Sequence, residues 1–595
     1  MMERKYIIGF FVSLIGLIFI IRLFYIQVYT DKYKLDSRNN VLRYITEYPA
    51  RGLIYDRKGE LLVYNQAAYD LMVIPKQTGP IDTNTFLSLI DLSKKEFISR
   101  FTEAKNYSSR KPSILVTNLS GEDYGKLQEV IFNFQGFYTQ EKTLRRYPLK
   151  SSSHLLGYIS EVDNNILSKN PYYKSGDHIG RSGMEKQYEK EIRGRRGKRI
   201  ILVDVFNREK GKFMEGAYDT SAVSGKDLYL TIDAELQQYA ELLMSNKKGS
   251  VVAIEPSTGE ILCLVSKPDY DPNILVGRVR TKNYKKLKSD TLKPLFNRAL
   301  MANYPPGSTF KLINALIGLQ IGVLTPETRY SCYQGYNVGS FHMGCHSHKS
   351  PIDLEYSIQT SCNAYYSNVF RSIIDHYPTP EQGFNVWRKY VSEFGLGSKL
   401  NLDMPGELNG FVPTQEYYDR YYQRGRWKSL TIVSLAIGQG ELGITPLQMG
   451  NISTILANRG YYITPHLEKS GFNNSIERHD INIDTSYFNL VTDAMEKVVE
   501  SGTGRSAKKE GIAICGKTGT VENPHGEDHS TFLAFAPKKD PKIAISVYVE
   551  NGVWGSRWAA PIAGLLIEKY LRDSISNKSL EERMINGNLI QPDEE

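Results

Sequence analysis

"GSVVAIEPSTGEILCLVS", residues 249–266, holds two short apolar runs rich in Val and Ile, separated by a Pro-Ser-Thr-Gly turn. It reads as a hairpin that opens an antiparallel sheet. Three further runs of the same texture lie far downstream: "IAICGKTGT" (Ile512 to Thr520), "STFLAFAP" (Ser530 to Pro537) and "KIAISVYVENG" (Lys542 to Gly552). The chain between them is mostly helical in pattern, with Gly and Pro punctuation. A sheet drawn from both ends of a segment, with helices from its middle, is an α+β fold. Upstream, residues from Tyr29 to about Ser224 mix short extended runs with polar turns and include "FLSLIDLSKKEFISRF" (Phe86 to Phe101), whose apolar spacing is helical. The basic run "RGRRGKR" (Arg193 to Arg199) reads as a solvated loop.

At 595 residues the chain is too long for one core, and 41% hydrophobic with 23% charged residues is an ordinary globular balance. The net charge of +9, from 74 basic and 65 acidic residues, is modest. No basic patch is interleaved with aromatics, so nucleic acid is not implied as a partner. "YIIGFFVSLIGLIFIIRLFYIQV" (Tyr6 to Val28) is apolar apart from Ser13, Arg22 and Gln27, and can cross a hydrocarbon core of about 30 Å. Arg4 and Lys5 on its short side mark that side as cytoplasmic. No small-residue cleavage site follows, so the span is expected to persist as an anchor, with nearly everything after Thr30 outside the cytoplasm. Disulfides are permitted there, and five cysteines (263, 332, 345, 362 and 515) are an odd number needing an explanation.

The helical middle opens with "YPPGSTFKLINALIGL" (Tyr304 to Leu319), where two prolines and a glycine precede an apolar run. A buried helix is expected to begin near Ser308, which puts Ser308 and Lys311 on one face, close enough for the amine to take the hydroxyl proton. Backbone N–H groups at a helix start can also stabilise a developing oxyanion. Ser361-Cys362-Asn363 opens a second helical segment, and Lys517-Thr518-Gly519-Thr520 ends a strand-like run. A hydroxyl with an amide, and a cation with hydroxyls, are what a proton relay and a carboxylate clamp need. In this order, Ser-x-x-Lys, Ser-x-Asn and Lys-Thr-Gly form the serine acyltransferase set of penicillin-binding proteins and β-lactamases.

The chain resembles the class B penicillin-binding proteins well beyond these elements. "RLFYIQV" (Arg22 to Val28), "ARGLIYDRKGELL" (Ala50 to Leu62), "HLLGYI" (His154 to Ile159), "GRSGMEKQYEKEIRGRRG" (Gly180 to Gly197), "LFNRALMANYPPGSTFK" (Leu295 to Lys311) and "IGQGELGITPLQM" (Ile437 to Met449) are similar to that family's shared segments. Within the class the likeness is to the cell-elongation members, penicillin-binding protein 2. The resemblance implies a cytoplasmic tail at 1–5, an anchor at 6–28, a non-catalytic pedestal at 29–224, a transpeptidase domain of antiparallel sheet flanked by helices at 225–573, and a polar tail at 574–595. It further implies an enzyme that cross-links D-Ala-D-Ala stem peptides during cell-wall elongation, is acylated by β-lactams, sits in the inner membrane, needs no organic cofactor and works beside a membrane-embedded RodA-type glycan polymerase. Ser308 would be the nucleophile, Lys311 its base, Ser361 the proton relay and Asn363 the amide clamp. Lys517, Thr518 and Thr520 would bind the terminal carboxylate, Gly519 would permit close backbone approach, and the N–H groups of Ser308 and Thr520 would form the oxyanion hole. A β-lactam hydrolase or an inactive wall-synthesis scaffold are the alternatives.

Cys332, Cys345, His348 and Cys362 follow the spacing Cys-x12-Cys-x2-His-x13-Cys. Three thiolates and an imidazole suit one closed, structural zinc site, and the elongation transpeptidases the chain resembles carry a metal in this region. A disulfide between two of the cysteines, or buried free thiols, are the competing readings. His346 is the alternative fourth ligand and His342 a further one.

Overall fold

The computed structural model describes residues 4–29, 42–80, 82–90, 92–119, 121–203, 209–277, 279–472 and 475–590. The first three residues of the expected cytoplasmic tail, residues 30–41 of the expected pedestal and the final residues 591–595 lie outside the described residues. The apolar span is an α-helix over Arg4–Phe24 followed by a π-helical turn over Tyr25–Tyr29, with no buried side chain in the helix. Its 24 residues from Arg4 to Gln27 give about 36 Å at 1.5 Å each, long and apolar enough to cross a membrane.

The chain divides into two compact units. The smaller comprises the described residues of 1–52, 65–144 and 190–226. Its core gathers Leu71, Val73, Phe86, Phe97, Val116 and Phe137. The run from Phe86 to Phe101, expected as one helical stretch, forms parts of two helices, Thr83–Ile90 and Lys94–Tyr107. The break is chemical: Ser93 caps the second helix, accepting from Glu96 N while the Glu96 carboxylate accepts from Ser93 N. The basic run is not wholly a loop. From Gly197 it enters the strand Gly197–Val203, which pairs antiparallel with Leu42–Glu47, and Lys198 lies 4.0 Å over the Tyr44 ring.

The larger unit comprises 53–64, 145–189 and the described residues of 227–595; a change of unit falls at 226/227, near the expected boundary, and the earlier chain makes two further excursions into this unit. Burial explains it. Ile54 and Leu62 are core residues, and Leu228–Tyr229 pairs in parallel with Ile54–Tyr55. Arg57 reaches Glu255 and Glu260 at 2.8 and 3.0 Å. Arg145 donates to Glu185 at 2.6 Å with side-chain exposures of 1% and 0%. Such a pair holds only where both charges are buried together.

The sheet of this unit has five antiparallel strands: β1 (Gly249–Ile254), β2 (Ile261–Lys267), β3 (Cys515–Val521), β4 (His529–Ala536) and β5 (Ile543–Val549). Their order is β2-β1-β5-β4-β3, with Val251 opposite Val547 and Lys517 opposite Leu533. Alternation sends Val251, Ala253, Val547 and Val549 to one face, where they pack with Leu565 and Leu566 of the helix Ala559–Arg572. The other face meets the fully buried helix Pro446–Ala457, with Ser453 Oγ donating to Ala534 O at 2.6 Å and Ser546 Oγ to Pro446 O at 2.9 Å. The expected polar tail is a correction. Lys578–Asn586 is a helix whose Met584 is fully buried, and Lys247 Nζ donates to the carbonyls of Met584 and Gly587. Met584, with the partly buried Leu580 and Ile585, docks it on the core.

Candidate active site

Ser308 sits in a 3-10 turn, Gly307–Phe310, that runs straight into the helix Lys311–Ile321. The tight first turn is fixed from outside. Gly307 has φ +59°, its N–H donates to Gly438 O at 2.9 Å, and a Cβ there would stand 2.8 Å from Thr520 O. No larger residue fits without moving the turn from strand β3. On β3, a Cβ at Gly519 would stand 3.2 Å from Pro306 O, so the turn that carries Ser308 and the Lys-Thr-Gly strand touch along their backbones.

Ser361 ends the helix Leu354–Thr360 in the left-handed region (φ +58°), and Cys362 caps the helix Asn363–Asp375. A non-glycine residue held there stores backbone strain, which the surrounding contacts sustain. Those contacts are two amines. Lys311 Nζ, with no exposed surface, donates to Ser361 O at 2.6 Å, to Ser361 Oγ at 3.3 Å and to Asn363 Oδ1. Lys517 Nζ, equally buried, donates to the same Ser361 Oγ at 2.8 Å and to Thr518 O at 3.0 Å. Burial lowers the Lys311 ammonium to about 8. Burial and then the charge of Lys311 push Lys517 well below the usual lysine range. The bonds of Lys311 run to the Ser-x-Asn element and none reaches Ser308 Oγ. Catalytic hydrogen bonds are commonly long in a free site and tighten on substrate.

Ser308, Ser361, Asn363, Thr518 and Thr520 line one cleft of about 770 Å³, with Lys311 and Lys517 buried behind it and Gly519 in its β3 wall. Sequence reasoning missed Ser434, Gln439, Thr503 and Trp554, which also line it. Thr503 Oγ1 lies 2.7 Å from Thr518 Oγ1 and so orients that hydroxyl in the cleft wall. Only Gln439 carried a signal, since it falls in "IGQGELGITPLQM".

Beside the cleft, Cys332 Sγ, Cys345 Sγ, His348 and Cys362 Sγ bring their donor atoms within 4.8 Å of one another. Tetrahedral zinc, with bonds of about 2.3 Å to sulfur and 2.0 Å to nitrogen, sets its donors roughly 3.5–3.8 Å apart, so the set fits after a small contraction. His348 Nε2 is already 3.6 Å from Cys345 Sγ, and its Nδ1 lies 2.7 Å from Lys349 O, which fixes the ring as outer partners of metal-bound imidazoles do. Cys345 Sγ accepts from Asn363 N and Cys362 Sγ from Tyr365 N, each at 3.3 Å. The Cys362 thiol and Asn363 N–H pull the Cys345 thiol down to about 4, while the neighbouring Cys345 thiolate pushes Cys362 upward. His346 lines the cleft and His342 bonds Asn337; neither belongs to the four-donor cluster. All five cysteines are free thiols, and Cys263 and Cys515 are buried in β2 and β3.

Residues 249–568 match the penicillin-binding protein transpeptidase domain and residues 46–230 the penicillin-binding protein dimerisation domain. The chain belongs to the penicillin-binding protein transpeptidase family. A relative from Acinetobacter baumannii named peptidoglycan D,D-transpeptidase MrdA is 29% identical over 95% of this chain and 87% of its own length. The penicillin-binding protein 2 of Helicobacter pylori, solved in complex with MreC, matches at TM-score 0.74 and 25% identity over 89% of this chain and 98% of that one. A chain from a peptidoglycan synthase complex, solved to address how polymerization and crosslinking are coordinated, matches at TM-score 0.72 and 25% identity over 97% of this chain and 100% of its own. Within the family the chain is a class B protein of the penicillin-binding protein 2 type, a peptidoglycan D,D-transpeptidase.

Proposed function

We propose that Ser308 is the acylated nucleophile and that Lys311, Ser361, Asn363, Lys517, Thr518, Gly519 and Thr520 serve it. The observation that carries this reading is the Ser361 hydroxyl held between two buried amines at the back of the cleft that Ser308 lines. Two buried ammonium groups sharing one hydroxyl repel, so at least one amine gives up its proton near neutrality. The carboxylate of a bound D-Ala-D-Ala end favours the protonated form of Lys517, beside Thr518 and Thr520, and leaves Lys311 as the neutral base. Lys311 takes the Ser308 proton as Oγ bonds to the penultimate D-Ala carbonyl carbon. The Ser308 and Thr520 N–H groups hold the oxyanion. Collapse of the intermediate breaks the peptide bond, and Ser361 passes the proton to the departing D-Ala amine. An amine of a neighbouring stem then attacks the acyl-enzyme and restores Ser308. Mass spectrometry after penicillin treatment tests the assignment: the adduct is expected on Ser308 and absent from Ser308→Ala, and an adduct on any other residue overturns it.

Cys332, Cys345, His348 and Cys362 would hold a structural zinc, whose chemistry here is cross-linking rather than catalysis. It would tie Cys362, and with it Ser361 and Asn363, to the segments around residues 332 and 345–348. The apolar helix supports a single-pass anchor in the cytoplasmic membrane, with Arg4 and Lys5 on the inner side and the bulk outside, for an enzyme acting in cell-wall elongation. Its partners would be a MreC-like protein, as in the Helicobacter complex, and a RodA-type polymerase that supplies fresh strands. The MreC complex of the Helicobacter protein and the likeness to the synthase complex support this. Co-purification tests the anchor's part: replacing Tyr6 to Val28 with an unrelated span is expected to lose the polymerase, and undiminished recovery refutes it.

A further inference from the structure

We propose that Phe411, Tyr417 and Tyr421 form a platform on which the sugar backbone of the donor glycan strand docks while its stem peptide enters the cleft. The helix Gln415–Tyr422, "QEYYDRYY", is anchored by its inner side. Tyr418 is fully buried, its ring 5.4 Å from Phe384 and 5.5 Å from Trp427, and its hydroxyl donates to Glu441 at 2.9 Å. Trp427 Nε1 donates to Asp419 at 2.8 Å, and Thr414 caps the first turn. The outer side is the reverse. Tyr421 is 67% and Phe411 37% exposed, and the rings run in a row, Phe411 to Tyr417 at 5.4 Å and Tyr417 to Tyr421 at 4.8 Å. Rigid, exposed aromatic faces bind the C–H faces of sugars with little loss of rotamer freedom.

Placement favours the enzyme's own substrate over a protein partner. Gln439 lines the cleft, Glu441 holds Tyr418, and Gly443 pairs with Phe411 through both backbone bonds. Four residues reach at most about 13–14 Å and the Gly443–Phe411 pair adds about 5.5 Å, so Phe411 lies within about 20 Å of Gln439. An extended four-residue stem covers about 13–14 Å, most of that span, before its link to the sugar is added. Around the platform Arg420, Arg424 and Arg426 are exposed and make no ion pair among the described residues, which suits the carboxylates of a stem peptide. The inference rests on the reading that the stem acylates Ser308.

The test compares three probes on the full-length protein in detergent: uncross-linked glycan strands with pentapeptide stems, the free pentapeptide, and fluorescent penicillin. Tyr421→Ala is expected to raise KM for strands about five- to tenfold, the loss of one good ring contact, while free pentapeptide turnover and penicillin acylation keep wild-type values. Tyr421→Trp is expected to restore strand use. Wild-type strand use by Tyr421→Ala, an equal loss with free pentapeptide or penicillin, or failure of Trp to restore it overturns the proposal. A defect seen only with a polymerase present would assign the face to a protein and overturns it too. Penicillin labelling away from Ser308 would sink the nucleophile assignment alone, since strand and free-peptide kinetics are compared regardless.

Discussion

Gly307→Ala is the substitution whose effect is most directly fixed by geometry. The new Cβ would stand 2.8 Å from Thr520 O and 2.8 Å from Val521 Cγ2, where ordinary contact begins at 3.4 Å. One of these neighbours is backbone, so no rotamer change relieves the clash; the turn and β3 must part by about half an ångström. Holding alanine at positive φ costs about 1–2 kcal/mol, and overpacking about 1–3 kcal/mol. The movement separates the two N–H groups proposed for the oxyanion hole and lifts Ser308 from its carboxylate clamp. With about a hundredfold lost per ångström of misplacement, acylation should slow roughly tenfold or more. Stopped-flow acylation by a fluorescent penicillin measures it, with thermal melting as the control, where a drop of a few degrees is expected. A folded Gly307→Ala protein that acylates at the wild-type rate would show that the turn does not rest on β3, and the argument would fail.

As the proposed base Lys311 must be neutral, and burial lowers its ammonium to about 8, so the acylation rate should climb with pH, reach half its maximum near 8 and level off about one unit above; a flat profile from pH 6 to 9 excludes Lys311 as the base. Purified wild-type protein without a histidine tag should contain about one zinc per chain, and Cys345→Ser should lose it together with acylation rate. Elemental analysis decides, and a metal-free, fully active wild type refutes the site. Glu185→Gln removes the carboxylate that accepts from Arg145 Nε in the core and should destabilise the larger unit by about 1–3 kcal/mol, read by denaturant unfolding; an unchanged midpoint contradicts a stabilising buried pair.

What was legible in the sequence was what is local. Ser308 and Lys311 share a turn, Ser361 and Asn363 a helix start, and Lys517 to Thr520 one strand, so each element announces itself within a few residues. The β1–β2 hairpin and its three distant partners show in the same way, through short apolar runs between turn residues. What stayed hidden is pairing across long separations. Nothing near Lys311 says that its amine bonds Ser361 and Asn363, nor does the chain around Arg145 point to Glu185. The carboxyl-terminal helix was concealed by composition: one buried methionine, Met584, docks a segment otherwise rich in charge. The break at Ser93 was readable, as Ser-x-x-Glu is a capping signature, but apolar spacing on both sides outweighed it.

The strand order β2-β1-β5-β4-β3 also governs how the enzyme comes into being. Val251 pairs with Val547, roughly 300 residues later, so the hairpin that opens the sheet stays without its neighbour until almost the whole chain has been delivered. During that interval β1 presents an unpaired apolar edge, the kind of surface that recruits other chains. Lys517 reaches Ser361 only when β3 has added to the far side of the same sheet, so the proton relay is among the last features to assemble. A chain cut short before β3 therefore keeps Ser308 and the Lys311–Ser361 bonds but lacks Lys517, the cation proposed to bind substrate. Topology therefore makes the cluster of Lys311, Ser361 and Lys517 a late product of folding rather than a local one.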